Sequence, residues 1–363
     1  VLDALSKQLA HGQPLNDAQI CRAVDELVDP AADPHAKADF LTALARKGET
    51  VEEIAGFVRE LRALSLEPPI DAGLRDREIL DVCGTGGDRL NTFNISTTVS
   101  LIVASAGVPV VKHGNRAITS QSGSADVLEA LGIAIELEPA RAADWLAAHH
   151  FVFFFAPKYH PAFRNIALAR TICAERGQRT IFNFLGPLLN PARPSAQLVG
   201  VPQPDLCPKI AAVLQSLGIR RAMVVCGSVP GVKHPVTGAA EIRHLDELST
   251  LGHNCVSEFY HERGLSHSFL DPASFPLQTA TLEHLRGSDR NANAEIVRRL
   301  LDGRERGPRR DAVLLNCAAA LFVAGKTKTM HNGWELAADL IDSGKAAAKL
   351  RDLIEATRPL ARG

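Results

Sequence analysis

Ile79-Leu80-Asp81-Val82-Cys83-Gly84-Thr85-Gly86-Gly87-Asp88 is a short apolar run that passes directly into a glycine cluster. Ile79 to Val82 reads as a buried strand. Three glycines in four residues let backbone N–H groups close around an anion without side-chain interference. Asp88, at the end of the cluster, suits a ribose hydroxyl or a metal-bound water. Such a loop can also be a plain strand-to-helix turn. Downstream, Ile95 to Ala106 reads as a helix, Val108 to Val111 as a strand and Asp126 to Leu131 as a helix. Phe151 to Phe155, Leu198 to Val201 and Ala222 to Val225 read as further strands. Strands alternating with helices predict an α/β domain with a mainly parallel sheet.

Upstream, Leu2 to Leu66 has the pattern of short amphipathic helices. Asn16-Asp17 marks one helix start, and Thr50 precedes an acidic first turn at Glu52 and Glu53. Pro68-Pro69 closes this region. The reading is a helical domain over 1–72 and an α/β domain over 73–363. Segments from about 160–190 are expected to join the helical domain in space.

The chain has 363 residues and a formal net charge of −1, without the basic excess of a general nucleic-acid binder. Its seven cysteines form no CxxC pair and read as free thiols in a reducing compartment. No apolar run is long enough to span a bilayer, and a cytoplasmic protein is expected.

Three further elements carry chemistry. Asn94, Ser96 and Thr97, in Asn91-Thr92-Phe93-Asn94-Ile95-Ser96-Thr97, lie at a predicted helix N-terminus, where free N–H groups favour an anion. Simple N-capping explains one hydroxyl there but not the whole group. Lys112-His113-Gly114-Asn115-Arg116 follows the predicted strand, at the end where α/β folds place their sites. Lys112 can pair with phosphate and Asn115 can donate and accept. His113 reads equally as a structural or surface histidine. Ser120, Ser122 and Ser124 extend a hydroxyl-rich loop. Asp246-Glu247 can hold a hard cation such as magnesium, which takes one or two carboxylates and fills its other positions with water and phosphate. In isolation the pair reads as a solvated acidic patch. Together the loops imply a phosphorylated substrate carried on magnesium. They lack both GxxxxGK[ST] and GxGxxG, which disfavours P-loop hydrolases and dinucleotide binders.

These motifs, in this order, resemble the anthranilate phosphoribosyltransferases. The likeness covers nearly the whole chain. It continues through His160-Pro161-Ala162 to Arg170, Asn183 to Pro191, Arg310-Asp311 with Val313 to Asn316, and Ile341 to Gly344. The resemblance implies a small helical domain packed on a larger α/β domain, an active site in the hinge cleft, and a homodimer formed through the helical domain. It implies transfer of the phosphoribosyl group of phosphoribosyl pyrophosphate (PRPP) to the amine of anthranilate. Carried over by position, Gly84, Gly87, Asp88, Thr92, Asn94, Ile95, Ser96, Thr97, Lys112, His113, Gly114, Asn115, Ser120 and Ala125 would hold PRPP. Gly84, Asn115 and Arg170 would hold anthranilate. Ser96, Asp246 and Glu247 would bind two magnesium ions per subunit. No side-chain nucleophile is implied.

One region departs from the family pattern. Ser228 to Arg243 is longer than the usual link and reads as a surface insertion. Arg89 and Leu168 are smaller variations. Two rival readings are a pyrimidine nucleoside phosphorylase of the same fold and a non-enzymatic relative that binds nucleic acid. The latter should show a basic surface and broken substrate motifs.

Overall fold

The computed structural model describes residues 1–117, 121–233, 240–261 and 264–359. Four helices open the chain: α1 (Leu2–Ala10), α2 (Asp17–Val28), α3 (Pro34–Lys47) and α4 (Val51–Ala63). Asn16 and Thr50 each close a capping box on the third residue of the helix that follows, worth about 1 kcal/mol apiece. On α4, Ile54, Phe57, Val58 and Leu61 fall on one face and are fully buried. Each such side chain contributes roughly 2 kcal/mol of burial.

After the short α5 (Ala72–Arg75) come β1 (Leu80–Gly84), α6 (Ile95–Ser105), β2 (Val110–Gly114), α7 (Ser124–Leu131), α8 (Pro139–His149) and β3 (Phe151–Phe155). The short α9 (Ala156–Tyr159) and α10 (Ala167–Glu175) lead through 3-10 turns to β4 (Ala196–Gly200), α11 (Leu206–Ser216) and β5 (Arg221–Lys233). β6 (Ala240–Leu245), β7 (Asn254–Tyr260) and β8 (Ser266–Leu270) follow. The chain continues through α12 (Leu282–Leu285), α13 (Arg290–Leu301), α14 (Pro308–Val323), α15 (Met330–Asp342) and α16 (Lys345–Thr357).

The strand order is β3-β2-β1-β4-β5-β7-β8, with β6 also paired to β5. β3, β2, β1, β4 and β5 are parallel, and β6, β7 and β8 join antiparallel. The architecture is therefore a helical bundle and a larger α/β domain with a mostly parallel sheet. Side chains alternate between two cores. Leu198, Met223 and Val225 face a core shared with α6 and α14, whereas Val199, Ala222, Val224 and Cys226 face one shared with α1 to α4, α10 and α11. Both faces of the sheet are thus covered, as parallel sheets require. Among the described residues no helix is long and apolar enough to cross a membrane. All seven cysteines are free.

Two details differ from the sequence expectation. β2 begins and ends later than Val108 to Val111, running through Lys112, His113 and Gly114. Polar residues can sit on this buried strand because each finds a partner, as described below. The described parts of the Ser228 to Arg243 stretch are not a surface loop. They pair as hairpin arms, Ser228 with His244, Val229 with Arg243 and Val232 with Glu241. Val229 and Leu245 bury against Leu90, and this small cluster fastens the hairpin beside the glycine loop. The turn at 234–239 lies outside the described residues.

Candidate active site

The C-terminal ends of β1, β2 and β4, the N-terminus of α6 and the turn after β6 converge. Asp246-Glu247 occupies that turn, seated where β1, β4 and β5 each carry a glycine. A Cβ on Gly84 would lie 2.7 Å from the Asp246 carboxylate, one on Gly227 would lie 2.6 Å from the Glu247 carbonyl, and one on Gly200 would fall on the Asp246 carbonyl. Only glycine lets the carboxylate turn approach so closely. From the other side, Asn316 of α14 clamps the turn. It accepts from Leu248 N at 3.0 Å and donates to Leu248 O at 2.9 Å. Asn254 holds Ser249 in the same way.

Asp246 Oδ2 accepts from the Gly86 N–H at 2.5 Å and from Thr85 Oγ1 at 3.4 Å. Glu247 Oε1 accepts from the Ser96 N–H at 3.2 Å, at the first turn of α6. Lys112, buried on β2, donates to Val82 O at 2.7 Å and to Ser96 Oγ at 3.2 Å. A cation, a hydroxyl and a carboxylate from three separate elements are therefore linked. Burial, reinforced by Asp88 and Glu247, pushes Asp246 well above the usual carboxylate range. Burial likewise pushes Glu247 up to about 7, against the favourable pull of Lys112. Crowded acidic oxygens beside a hydroxyl are a hard-cation donor set. Among the described residues no group of three His, Cys, Asp or Glu side chains that could hold a metal ion is present.

The remaining positions divide. Thr97 Oγ1 is buried without a partner among the described residues, at the helix start. Asn94 makes no side-chain cap; its amide donates to Ser122 O at 3.3 Å and accepts from Asn293 at 3.0 Å. The Ile95 side chain belongs to the core and its N–H goes to Phe93 O, so it is a packing residue. Asp88 turns back to accept from Leu90 N at 3.0 Å, and Arg243 of the hairpin reaches Asp88 O at 3.3 Å. Gly87 packs near Pro202, and Thr92 bridges to Arg286. Gly114 admits Phe153 and Ser124 at close range. Ala125 is buried, its N–H on Asn115 O at 3.3 Å, while Asn115 itself is exposed. Arg116 is committed to Glu129 and Asp126. Ser120 lies outside the described residues. Arg170, on α10, is exposed, stacks over the Phe182 ring at 5.5 Å and forms no ion pair among the described residues.

Two histidines face each other at the domain junction, ring centroids 5.2 Å apart. His113 Nδ1 donates to Gly186 O at 3.1 Å, which leaves Nε2 as a buried acceptor without a partner among the described residues. Burial and the neighbouring ring push His113 down to about 3, and burial pushes His160 down to about 4. Both are neutral near pH 7. An unfolded histidine titrates near pH 6.5, so below that pH the unfolded chain binds protons that the native chain refuses. Stability should therefore fall as pH drops from about 6.5 towards 4, by up to ~1.4 kcal/mol per pH unit per group. Melting temperatures measured from pH 7.5 to pH 5 should decline less in His160→Gln than in the parent; equal declines would refute this account.

The Glycosyl transferase family, a/b domain, matches residues 76–347, and the helical bundle domain of the Glycosyl transferase family matches residues 4–65. An anthranilate phosphoribosyltransferase of Acetivibrio thermocellus is 41% identical over 98% of this chain and 96% of its own length. The crystal structure of the Thermus thermophilus anthranilate phosphoribosyltransferase superposes with a TM-score of 0.84 at 38% identity, covering 98% of this chain and 99% of that one.

The chain belongs to the anthranilate phosphoribosyltransferase family.

Membership makes it an enzyme, a glycosyltransferase, and removes the nucleoside phosphorylase and non-enzymatic readings. The Saccharomyces cerevisiae anthranilate phosphoribosyltransferase, solved in complex with PRPP and Mg, has a TM-score of 0.83 at 26% identity, over 99% of this chain and 98% of that one. Sequence reasoning about an anthranilate phosphoribosyltransferase assigned no role to Thr85, Gly200, Asn293 and Asn316, although Thr85 and Asn316 stand in the motifs that carried the resemblance. Asn316 did leave a signal, as a lone amide in the apolar run Val313-Leu314-Leu315-Asn316-Cys317.

Proposed function

We propose that the cleft between the glycine loop, the start of α6 and the Asp246-Glu247 turn binds PRPP on magnesium and transfers its phosphoribosyl group to the amine of anthranilate. The products are N-(5-phosphoribosyl)anthranilate and pyrophosphate, a step of tryptophan biosynthesis. The observation that carries this reading is the chain of contacts Lys112–Ser96–Glu247, which brings together from three elements the kinds of group that phosphate and magnesium would need.

The N–H groups of Gly84 to Asp88 and of the first turn of α6 would face the phosphates, with Ser96, Thr97 and the third donor of Lys112. Ser96, Asp246 and Glu247 would hold magnesium, two ions in the full reading. Magnesium, when bound, neutralises the charge that grows on departing pyrophosphate. Asn115 and the unpaired Arg170 would hold anthranilate, the guanidinium gripping its carboxylate. Neutral His113 and His160 would wall the junction without donating charge. The chain's own work is then to orient the amine behind the anomeric carbon and to exclude water. The amine needs no strong base, and no side chain attacks the sugar.

The same reading keeps the domain division near residue 72, with 160–190 counted with the helical domain. It places the protein in the cytoplasm as a homodimer without nucleic-acid partners. Fluorescence of anthranilate should decay only with protein, PRPP and magnesium together, and stop with chelator; a folded protein giving no decay would exclude the reading. Arg170→Gln should raise KM for anthranilate about tenfold or more, with little change in KM for PRPP. Initial rates over both substrates test this, and an unchanged anthranilate KM would remove Arg170 from the site.

A further inference from the structure

At the opposite end of the sheet lies a cavity of about 530 Å³ lined by Arg59 and Arg62 of α4, Arg75 of α5, Arg193 before β4 and Arg220 before β5. Ser195 also lines it, and among the described residues no Asp or Glu does. Its walls are the N-terminal ends of β1, β4 and β5, so the length of β1, roughly 16 Å, separates it from the glycine loops.

Three of the arginines have carboxylate neighbours behind them. Arg59 faces Asp17 at 3.3 Å, Arg193 faces Glu67 at 3.0 Å and Arg220 faces Glu78 at 3.2 Å. Among the described residues, Arg62 and Arg75 form no ion pair. Arg75 donates only to the Ala192 and Arg193 carbonyls. Arg62 is 8% exposed, gives Nε to Leu188 O at 2.7 Å, and leaves Nη2 buried without a partner among the described residues. The charges also crowd each other. Burial and then Arg193 push Arg62 down to about 10; burial lowers Arg75, with Glu67 opposing the shift and Arg193 adding to it. Asp81 provides a partial counter-charge to Arg62 from within β1, without forming an ion pair. A buried, incompletely bonded guanidinium is costly unless an anion completes it.

We propose that this cavity is a second ligand site, distinct from the catalytic cleft, for a small phosphorylated anion of multiple negative charge. Planar guanidinium forks match phosphate oxygens bidentately, and the volume is that of a small-molecule site. Arg62 also holds Leu188, two residues from the Gly186 carbonyl that fixes His113. The ligand would therefore stand one side chain from the segment that holds His113.

Inorganic phosphate titrated calorimetrically into the full chain tests the site. The expected result is a saturable component that Arg75→Gln and Arg193→Gln each weaken about tenfold, with anthranilate turnover within twofold of the parent. Arg193 is exposed, so its substitution keeps the test valid if the Arg75 variant fails to fold. Absence of saturable binding, or binding that both substitutions leave unchanged, overturns the proposal.

Discussion

Glu247→Gln should lower turnover by about 10²- to 10³-fold, the effect of removing roughly 3–4 kcal/mol of transition-state stabilisation, while leaving the protein as stable or more stable at pH 8. The two outcomes have one cause. A carboxylate held at about 7 in the folded chain, against an ordinary value near 4.3, destabilises the fold when ionised. The penalty grows as pH rises from about 4.3 and is complete above about 7. Glutamine keeps an acceptor for the Ser96 N–H and removes the repulsion with Asp246 and Asp88. It also removes the charge that a divalent cation would neutralise. Turnover across a magnesium series, with melting temperatures at pH 8, checks both halves. Near-normal turnover would remove Glu247 from the metal site, and a large loss of stability would show that its charge is structural.

Gly200→Ala should be comparably damaging for a different reason. Its Cβ would occupy the position of the Asp246 carbonyl, with the Glu247 N atom 3.1 Å away. The obstacle is backbone held by the Asn316 clamp, so no side chain can swing aside. Overpacking of a rigid site costs about 1–3 kcal/mol or more. The carboxylates should also shift by enough to lower turnover about 100-fold. Thermal unfolding and initial rates provide the test; activity within threefold of the parent, with an unchanged melting temperature, would contradict this packing account.

Much of this site is visible in the one-dimensional order of residues. The apolar run ending in Gly84 is a strand, and Ile95 starts the helix whose N-terminus faces Glu247. Local chemistry dictates both, through a buried run, a glycine break and a cluster of small polar residues. The parts that were not legible depend on distant partners. Lys112 looks like a strand terminator because a lysine in an apolar run usually reaches water. Here Val82 O and Ser96 satisfy it, so β2 continues. Asn316 lies 68 residues from the turn it clamps. β8 is exposed along most of its length and so shows little apolar alternation. The hairpin arms were hidden for another reason: Pro230 and Gly231 are loop-like in composition, whereas the ladder absorbs them in a register slip between Val229 and Val232, with Gly231 at positive φ.

That hairpin bears on how this chain could change length over generations. Gly227 pairs with Leu245, the residue immediately before the two acids, and the register slips only farther out, between Val229 and Val232. Residues gained or lost beyond the slip need not disturb the Gly227–Leu245 rung. One residue added to each arm at facing positions would keep the cross-strand pairing while turning the outer side chains of both arms over together, whereas a single addition would slip one arm against the other. The slip thus separates the outer arms from the rung that seats the acidic turn, so a change in the outer arms can leave that seat in place.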